Sequence, residues 1–311
     1  MNKELKILAV VVFFTLVTYW GVEPFAHSQM HKHVEFHNFA YKDLPALKAK
    51  GDPAKGKELV TGAAACTGCH GIKAEGLAAP MDAATAIASY GVNPPDLSHA
   101  GALLDERFLA ALVQNPAHAL KVEHKFSDKR PYPMTSFMGA GGDINQEVAD
   151  IVAYLKQVAS KEEVTPKAAY VMACGRCHAM RYDKWSQIGE KPKFKYEKDA
   201  VAYKAKVLDA QDKVKAYLGK LPPDLSIIIR ARSEDFLKTF VEDPQSQLPG
   251  TAMPRVGLTQ EGYNKVVEHL EEVGDSSKPE RESLGWKVIL YFVIFTILAY
   301  LWKEKIWSKL H

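Results

Sequence analysis

All four cysteines of the chain fall into two copies of one pattern. Cys66-Thr67-Gly68-Cys69-His70 is the first, and Cys174-Gly175-Arg176-Cys177-His178 is the second. Two thiols at this spacing reach the two vinyl groups of one porphyrin and form thioethers. The His that follows then lies under the iron and donates a ring nitrogen. C-x-x-C-H is accordingly the signature of c-type haem attachment. A zinc ribbon also pairs two C-x-x-C motifs, but about 15–20 residues apart; here residues 70–173 separate them. A thioredoxin-like redox pair needs no following His. The pattern predicts two covalent haem c groups on Cys66, Cys69, Cys174 and Cys177, with His70 and His178 as metal ligands.

An iron that only transfers electrons wants a sixth ligand, and Met opposite His raises its potential. Met1 and Met30 precede both motifs, Met172 and Met180 sit too close to His178, and Met81 is too close to His70. Met134, Met138 and Met253 remain. Met253 lies in Pro249-Gly250-Thr251-Ala252-Met253-Pro254, a stiff loop suited to a fixed sulfur, and is assigned to the second haem. For the first haem Met134, in Tyr132-Pro133-Met134-Thr135-Ser136-Phe137, is preferred. Met138 stays open, because its distance from the helix that follows matches that of Met253 from its own.

The elements that must position these residues are also repeated. Pro94-Pro95-Asp96-Leu97-Ser98 recurs as Pro222-Pro223-Asp224-Leu225-Ser226, and Phe108-Leu109 as Phe236-Leu237. Asp52-Pro53 and Thr165-Pro166 each give an N-cap residue followed by Pro, a helix start before each motif. Asn145 is expected to cap a closing helix carrying Val148, Ile151, Val152 and Leu155. Thr259 is expected to cap one carrying Tyr263, Val266, Val267 and Leu270. Both follow helical periodicity. Strand signals are sparse. These features predict two mainly helical haem domains, 45–160 and 161–275, divided at the polar break Ser160-Lys161-Glu162-Glu163.

The two ends of the chain have a different character. Ile7 to Val22 and Val288 to Trp302 carry no charge, and with their flanks each reaches the length of a membrane span. Trp20, Trp286 and Trp302 sit where interfacial aromatics belong. Residues 1–24 read as an uncleaved anchor, since Phe25-Ala26-His27 offers no small-x-small cleavage site. Residues 25–44 read as a His-rich connector, and 276–311 as a linker and second anchor. Lys3, Lys6, Lys303, Lys305 and Lys309 flank the apolar runs on their outer sides, which places both termini in the cytoplasm. The haem domains then lie in a bacterial periplasm, held to the inner membrane. A net charge of +3 gives no argument for nucleic acid.

The design resembles class I cytochromes c. Residues 165–311 more specifically resemble cytochrome c1, the haem subunit of bc-type quinol–cytochrome c reductase. The resemblance rests on Cys174 to Tyr182, on Leu221-Pro222-Pro223-Asp224-Leu225-Ser226 with Arg230-Ala231-Arg232, and on the tail from Leu284 to Trp307. It implies a mainly α fold of two tandem class I cytochrome c domains between N- and C-terminal transmembrane helices. It also implies that Arg230 or Arg232 contacts a haem propionate. An additional haem domain precedes the cytochrome c1-like part, a layout similar to a di-haem form in Campylobacterota-type bacteria. The implied partners are cytochrome b, a Rieske iron–sulfur subunit and a soluble cytochrome c acceptor, within a dimeric complex. The chain is then an electron carrier, enzymatic only inside that assembly. Competing readings are a di-haem subunit of a terminal oxidase and a di-haem peroxidase.

Two weaker signals remain. His27, His31, His33 and His37 form i, i+4 pairs that suit either a metal on a helix or a polar interfacial segment. Residues 184–220 hold ten Lys against five Asp or Glu. That insert suits either a solvated helical excursion or a docking face for an acidic redox partner.

Overall fold

A computed structural model describes residues 3–31, 39–127 and 130–309. The N-terminal helix α1 (Lys3–Val17) passes through a π turn at Thr18–Val22 into α2 (Glu23–His31). The first half continues with α3 (Pro53–Thr61), α4 (Ala83–Tyr90), α5 (Ala100–Leu103), α6 (Glu106–Gln114), α7 (Pro116–Ala119) and α8 (Ile144–Ala159). The second half holds α9 (Pro166–Ala173), α10 (Glu197–Leu218), α11 (Ile228–Ala231), α12 (Glu234–Glu242), α13 (Pro244–Gln247) and α14 (Gln260–Gly274). Helix α15 (Lys278–Trp307) closes the chain. Two antiparallel two-residue strands, Trp185–Ser186 and Gly189–Glu190, are the only named strands among the described residues.

Capping follows the sequence closely. The Asp52 side chain accepts from the Ala54 N–H, with Pro53 at the first helical position. Thr165 accepts from the Ala168 N–H at the start of α9, and Thr259 from the Gly262 N–H at the start of α14. Helix α8 begins earlier than expected: Asp143, not Asn145, is its cap and accepts from the Asn145 N–H. Asp outcompetes the later Asn because its carboxylate also faces the positive end of the helix dipole.

Each half crosses its first helix over its last. In the first half α3 packs on α8. Gly56 makes this possible, since a Cβ there would lie 1.9 Å from the Asp150 carbonyl oxygen. The Asp150 side chain accepts from the Asp52 N–H at 2.7 Å, pinning the crossing. In the second half α9 packs on α14, and the Tyr170 and His269 rings lie 5.2 Å apart.

The two halves share one apolar core. Phe108, Leu103 and Tyr41 from the first half pack in the same buried cluster as Leu258, Tyr263 and Val266 from the second. Backbone bonds join them: Asp105 N–H to Gly257 O at 2.9 Å, and Thr259 N–H to Leu103 O at 2.8 Å. Gly257, at φ +77°, lets Phe108 lie against the backbone; a Cβ would sit 1.9 Å from that ring. Arg255, fully buried, donates twice to Ala119 O at 2.9 and 3.0 Å and pairs with Asp43 at 2.8 Å. The Lys-rich insert joins this junction too: α10 buries Ala210 and Val214 against Ile87 of α4.

The terminal helices stand apart from this core. Lys3–Gln29 and Lys278–Trp307 are long and apolar enough to cross a membrane, and neither buries its apolar window in the protein. Lys303 pairs with Glu4 at 2.5 Å, so the outer ends of the two helices lie together. His27 on α2 pairs with Asp235 on α12 at 2.9 Å. His33 and His37 lie outside the described residues, and no cluster of three metal-ligating side chains occurs among those described.

Candidate haem centres

The two C-x-x-C-H motifs adopt the same turn. His70 N–H donates to Cys66 O at 2.9 Å, and His178 N–H donates to Cys174 O at 2.9 Å. The four thiols form no disulfide. Burial raises the Cys66 and Cys177 thiols and pushes Cys174 up to about 12.

The repeated Pro-Pro-Asp-Leu-Ser segments hold the two histidines. His70 Nδ1 lies 2.8 Å from Pro95 O, and His178 Nδ1 lies 2.8 Å from Pro223 O. A carbonyl only accepts, so Nδ1 carries the proton in both rings and Nε2 carries the free lone pair. Burial lowers the pKa of both histidines, although the carbonyl bonds oppose it. Both effects favour the neutral ring with Nε2 free, the form in which a histidine can ligate an iron.

The clamp is built the same way twice. Leu97 N–H donates to Gly71 O at 2.8 Å, and Leu225 N–H to Ala179 O at 2.9 Å. Asp96 accepts from the Ser98 N–H at 2.9 Å, and Asp224 from the Ser226 N–H at 3.0 Å. The Ser98 hydroxyl accepts from the Ala74 N–H at 3.0 Å, and the Ser226 hydroxyl from the Tyr182 N–H at 3.1 Å. Every residue of the motif after its first Pro thus has a job, and that role was invisible in the recurrence alone.

A recess lies at the second motif. Cys177 and Arg176 line it together with Ala252 and Pro254, which flank the half-buried Met253. The expected ligand loop and the expected attachment thiol therefore border one space. The first half supplies the other wall: Val92, Val122, Lys125, Phe126 and Tyr132. Met134, two residues past Tyr132, is half-buried, whereas Met138 is 85 % exposed. Arg230 and Arg232 do not line the recess. Arg230 is exposed, 4.0 Å from Asp275, and Arg232 lies over the Phe236 ring at 5.3 Å. The cations that line it are Arg176 and Lys125, which the sequence did not single out.

The donor set and the clamped histidine of the first half belong together with a known family model. Residues 53–159 match the model described as cytochrome c. This segment is a cytochrome c domain. A cytochrome c domain carries covalently bound haem c, and the match includes Cys66, Cys69 and His70. Similarity reaches further along the chain. Cytochrome c1 of Allochromatium vinosum is 24% identical over 239 residues, covering 57% of this chain and 94% of its own. The ammonia monooxygenase gamma subunit of Nitrosomonas europaea is 25% identical over 186 residues, covering 46% of this chain and 79% of its own. A chain of the solved "Hyperthermophilic respiratory Complex III" is 27% identical, covers 47% of this chain and 75% of its own, and superposes with a TM-score of 0.35. Cytochrome c domains of this kind transfer electrons, and the chain is weakly similar to cytochrome c1.

Proposed function

We propose that the chain is a membrane-anchored di-haem electron-transfer subunit of a bc-type quinol–cytochrome c reductase. It carries electrons from a Rieske iron–sulfur partner to a soluble cytochrome c. The observation that carries this reading is the duplicate clamp: two C-x-x-C-H histidines, each turned by a Pro carbonyl at 2.8 Å. The second motif, beyond the span of the family match, reproduces the first bond for bond. Bound haem c supplies one-electron chemistry at its iron. Cys174 and Cys177 would tether a second haem, His178 and Met253 would ligate it, and Met134 would complete the first site with His70. Similarity to cytochrome c1 supports the reductase setting.

Exposure supports one direction of flow. Cys69 is exposed, with its Sγ 3.7 Å from the Tyr90 hydroxyl. Cys177 instead borders the recess closed by Phe126 and Tyr132 of the first half. The edge of the first centre is open to a soluble partner, while that of the second faces the first half. In this reading the electron would enter at His178 and leave by way of His70. The paired outer ends of the terminal helices support a topology with both termini on one side of the bacterial inner membrane, the cytoplasmic one, and the haem domains in the periplasm.

Stopped-flow reduction by quinol in the purified complex tests the order. With Met134 replaced by His, the second haem should still be reduced at the original rate while export to soluble cytochrome c slows. Stalled reduction of the second haem reverses the order. Absence of cytochrome b and Rieske subunits from a mild-detergent purification refutes the reductase assignment.

A further inference from the structure

The positive charge of the chain is concentrated in one insert. Residues 184–220 carry ten Lys against five Asp or Glu, whereas the whole chain nets only +3, so the rest of it is net negative. Among the described residues only Lys213 of these ten has a carboxylate partner, Asp209 at 2.6 Å. A helix that has only to stay solvated is stabilised by i, i+4 pairs of opposite sign, and this is the one that α10 forms. Lys204, Lys206, Lys215 and Lys220 stand exposed without such pairing. Their mutual repulsion is relieved by anything that brings carboxylates to them.

The insert is laid beside the open edge of the first motif. Ile87 of α4 packs against Ala210 and Val214 of α10. A turn further on, Gly91 lies against Tyr217, where a Cβ would fall 2.2 Å from the Tyr217 ring. The residue before that glycine, Tyr90, holds its hydroxyl 3.7 Å from the Sγ of the exposed Cys69. A run of contacts therefore leads from the attachment thiol to the end of α10, and Lys215 and Lys220 flank Tyr217 in the chain. Arg130, also exposed, donates to the Tyr217 carbonyl and lies 5.2 Å over its ring, adding a cation at the same end. The other end of the insert is remote. Phe194 lies against Tyr203, with ring centroids 5.4 Å apart, and Tyr203 is about 20 Å along the helix from Tyr217.

We propose that the Lys-rich face of α10 is the docking surface for the soluble electron acceptor, and that the acceptor meets it with a carboxylate-rich patch. This rests on the electron-carrier reading above. Opposite charge steers an encounter and raises its rate about 10–10³-fold at low ionic strength. A carrier must also release its partner. Exposed Lys–carboxylate pairs, worth about 0.2–1 kcal/mol each, hold it only briefly. An anionic membrane surface fits less well, because lipid gains nothing from the adjoining Cys69 edge. The acceptor takes up the one electron that the chain gives up; no bond or proton changes hands. The second half thus supplies the landing site beside the motif of the first.

Stopped-flow oxidation of the ascorbate-reduced, haem-loaded full chain in phosphatidylcholine discs tests this. The probes are an acidic soluble cytochrome c and the same protein with its surface carboxylates amidated. At low salt the acidic probe should react about tenfold faster or more, and the gap should close as salt rises to about 0.5 M. Lys204→Gln/Lys206→Gln/Lys215→Gln/Lys220→Gln should remove most of that advantage with the chain's reduction potentials unchanged. The corresponding Glu substitutions should reverse the preference. Lys191→Gln/Lys193→Gln/Lys195→Gln, at the remote end, should cost far less. Equal rates for the two probes, an equal loss from the remote variant, or a loss matched by a shifted potential overturns the proposal. So does an effect confined to lipid, in which the four-Lys variant weakens capture of the discs by phosphatidylglycerol vesicles and leaves the acidic probe's rate unchanged. A chain that reduces neither probe at any salt refutes the carrier reading itself.

Discussion

Removing the Asp43 carboxylate should loosen the second centre through Arg255. The Arg255 side chain is 0% exposed, and Asp43 is its carboxylate partner at 2.8 Å. Two bonds to Ala119 O survive in Asp43→Ala, but the buried charge loses that counter-charge. Breaking a buried pair from one side costs about 3–5 kcal/mol. The Asp43 side chain is 22% exposed, so water replaces part of it and the lower end, about 3 kcal/mol, applies. For a folded unit of this size each kcal/mol moves Tm by about 2–4 °C, so Tm should fall by about 6–12 °C. Circular dichroism of the haem-loaded chain reads this. Arg255 follows Met253 by two residues, so the long-wavelength sulfur-to-iron absorption band should fade before the helices melt. Asp43→Leu with Arg255→Met removes both charges and should recover most of the loss. A Tm for Asp43→Ala within about 2 °C of wild type would refute the claim that this pair ties the halves together.

Three further outcomes are expected. Mass spectrometry of the mature chain should show the polypeptide plus two haem masses, and Cys177→Ala should impair attachment at the second site alone. Met134→Ala should lower the potential of the first haem strongly, whereas Met138→Ala, at an 85 % exposed position, should leave both titrations unchanged. Burial by itself would raise the Asp224 carboxyl, but hydrogen bonds from Ser226 and Arg181 outweigh it and hold the pKa below its ordinary value. Its contribution to stability is then complete above its unfolded pKa of about 3.9 and is lost as pH falls through the lower folded value. Asp224→Asn should flatten the acid limb of the stability–pH curve, measured by denaturant unfolding at a series of pH values.

The two helix starts before the motifs and the closing helices were legible because each is local. A cap, a thiol pair or a helical stripe is written within a few neighbouring residues, as at Thr165 and Thr259. The recurrence of Pro-Pro-Asp-Leu-Ser was visible, but its purpose was not. The bond to each histidine comes from a backbone carbonyl, which every residue possesses, so no side-chain type advertises it. The insert was ambiguous for a related reason. Helix α10 buries only Ala210 and Val214 beneath a charged surface, a stripe too narrow to distinguish packing from solvation. Arg255 and Arg176 were hidden as well, since each owes its surroundings to segments distant in the chain. Arg230 and Arg232 drew attention through the family resemblance, and neither lines the recess at the second motif.

The duplicated clamp closes two loops of unequal length. Histidine and carbonyl are 25 residues apart in the first copy and 45 in the second. Loop-closure entropy grows only with the logarithm of length, so the longer loop adds about 0.5 kcal/mol at 25 °C. The orientation of each histidine is thus nearly indifferent to what is inserted between motif and clamp. The second copy can therefore carry α10 and lay it on the first copy without disturbing the ring that the Pro223 carbonyl holds. The clamp insulates its histidine from growth of the segment around it, and two clamped halves can become a single interlocked body by lengthening one tolerant loop.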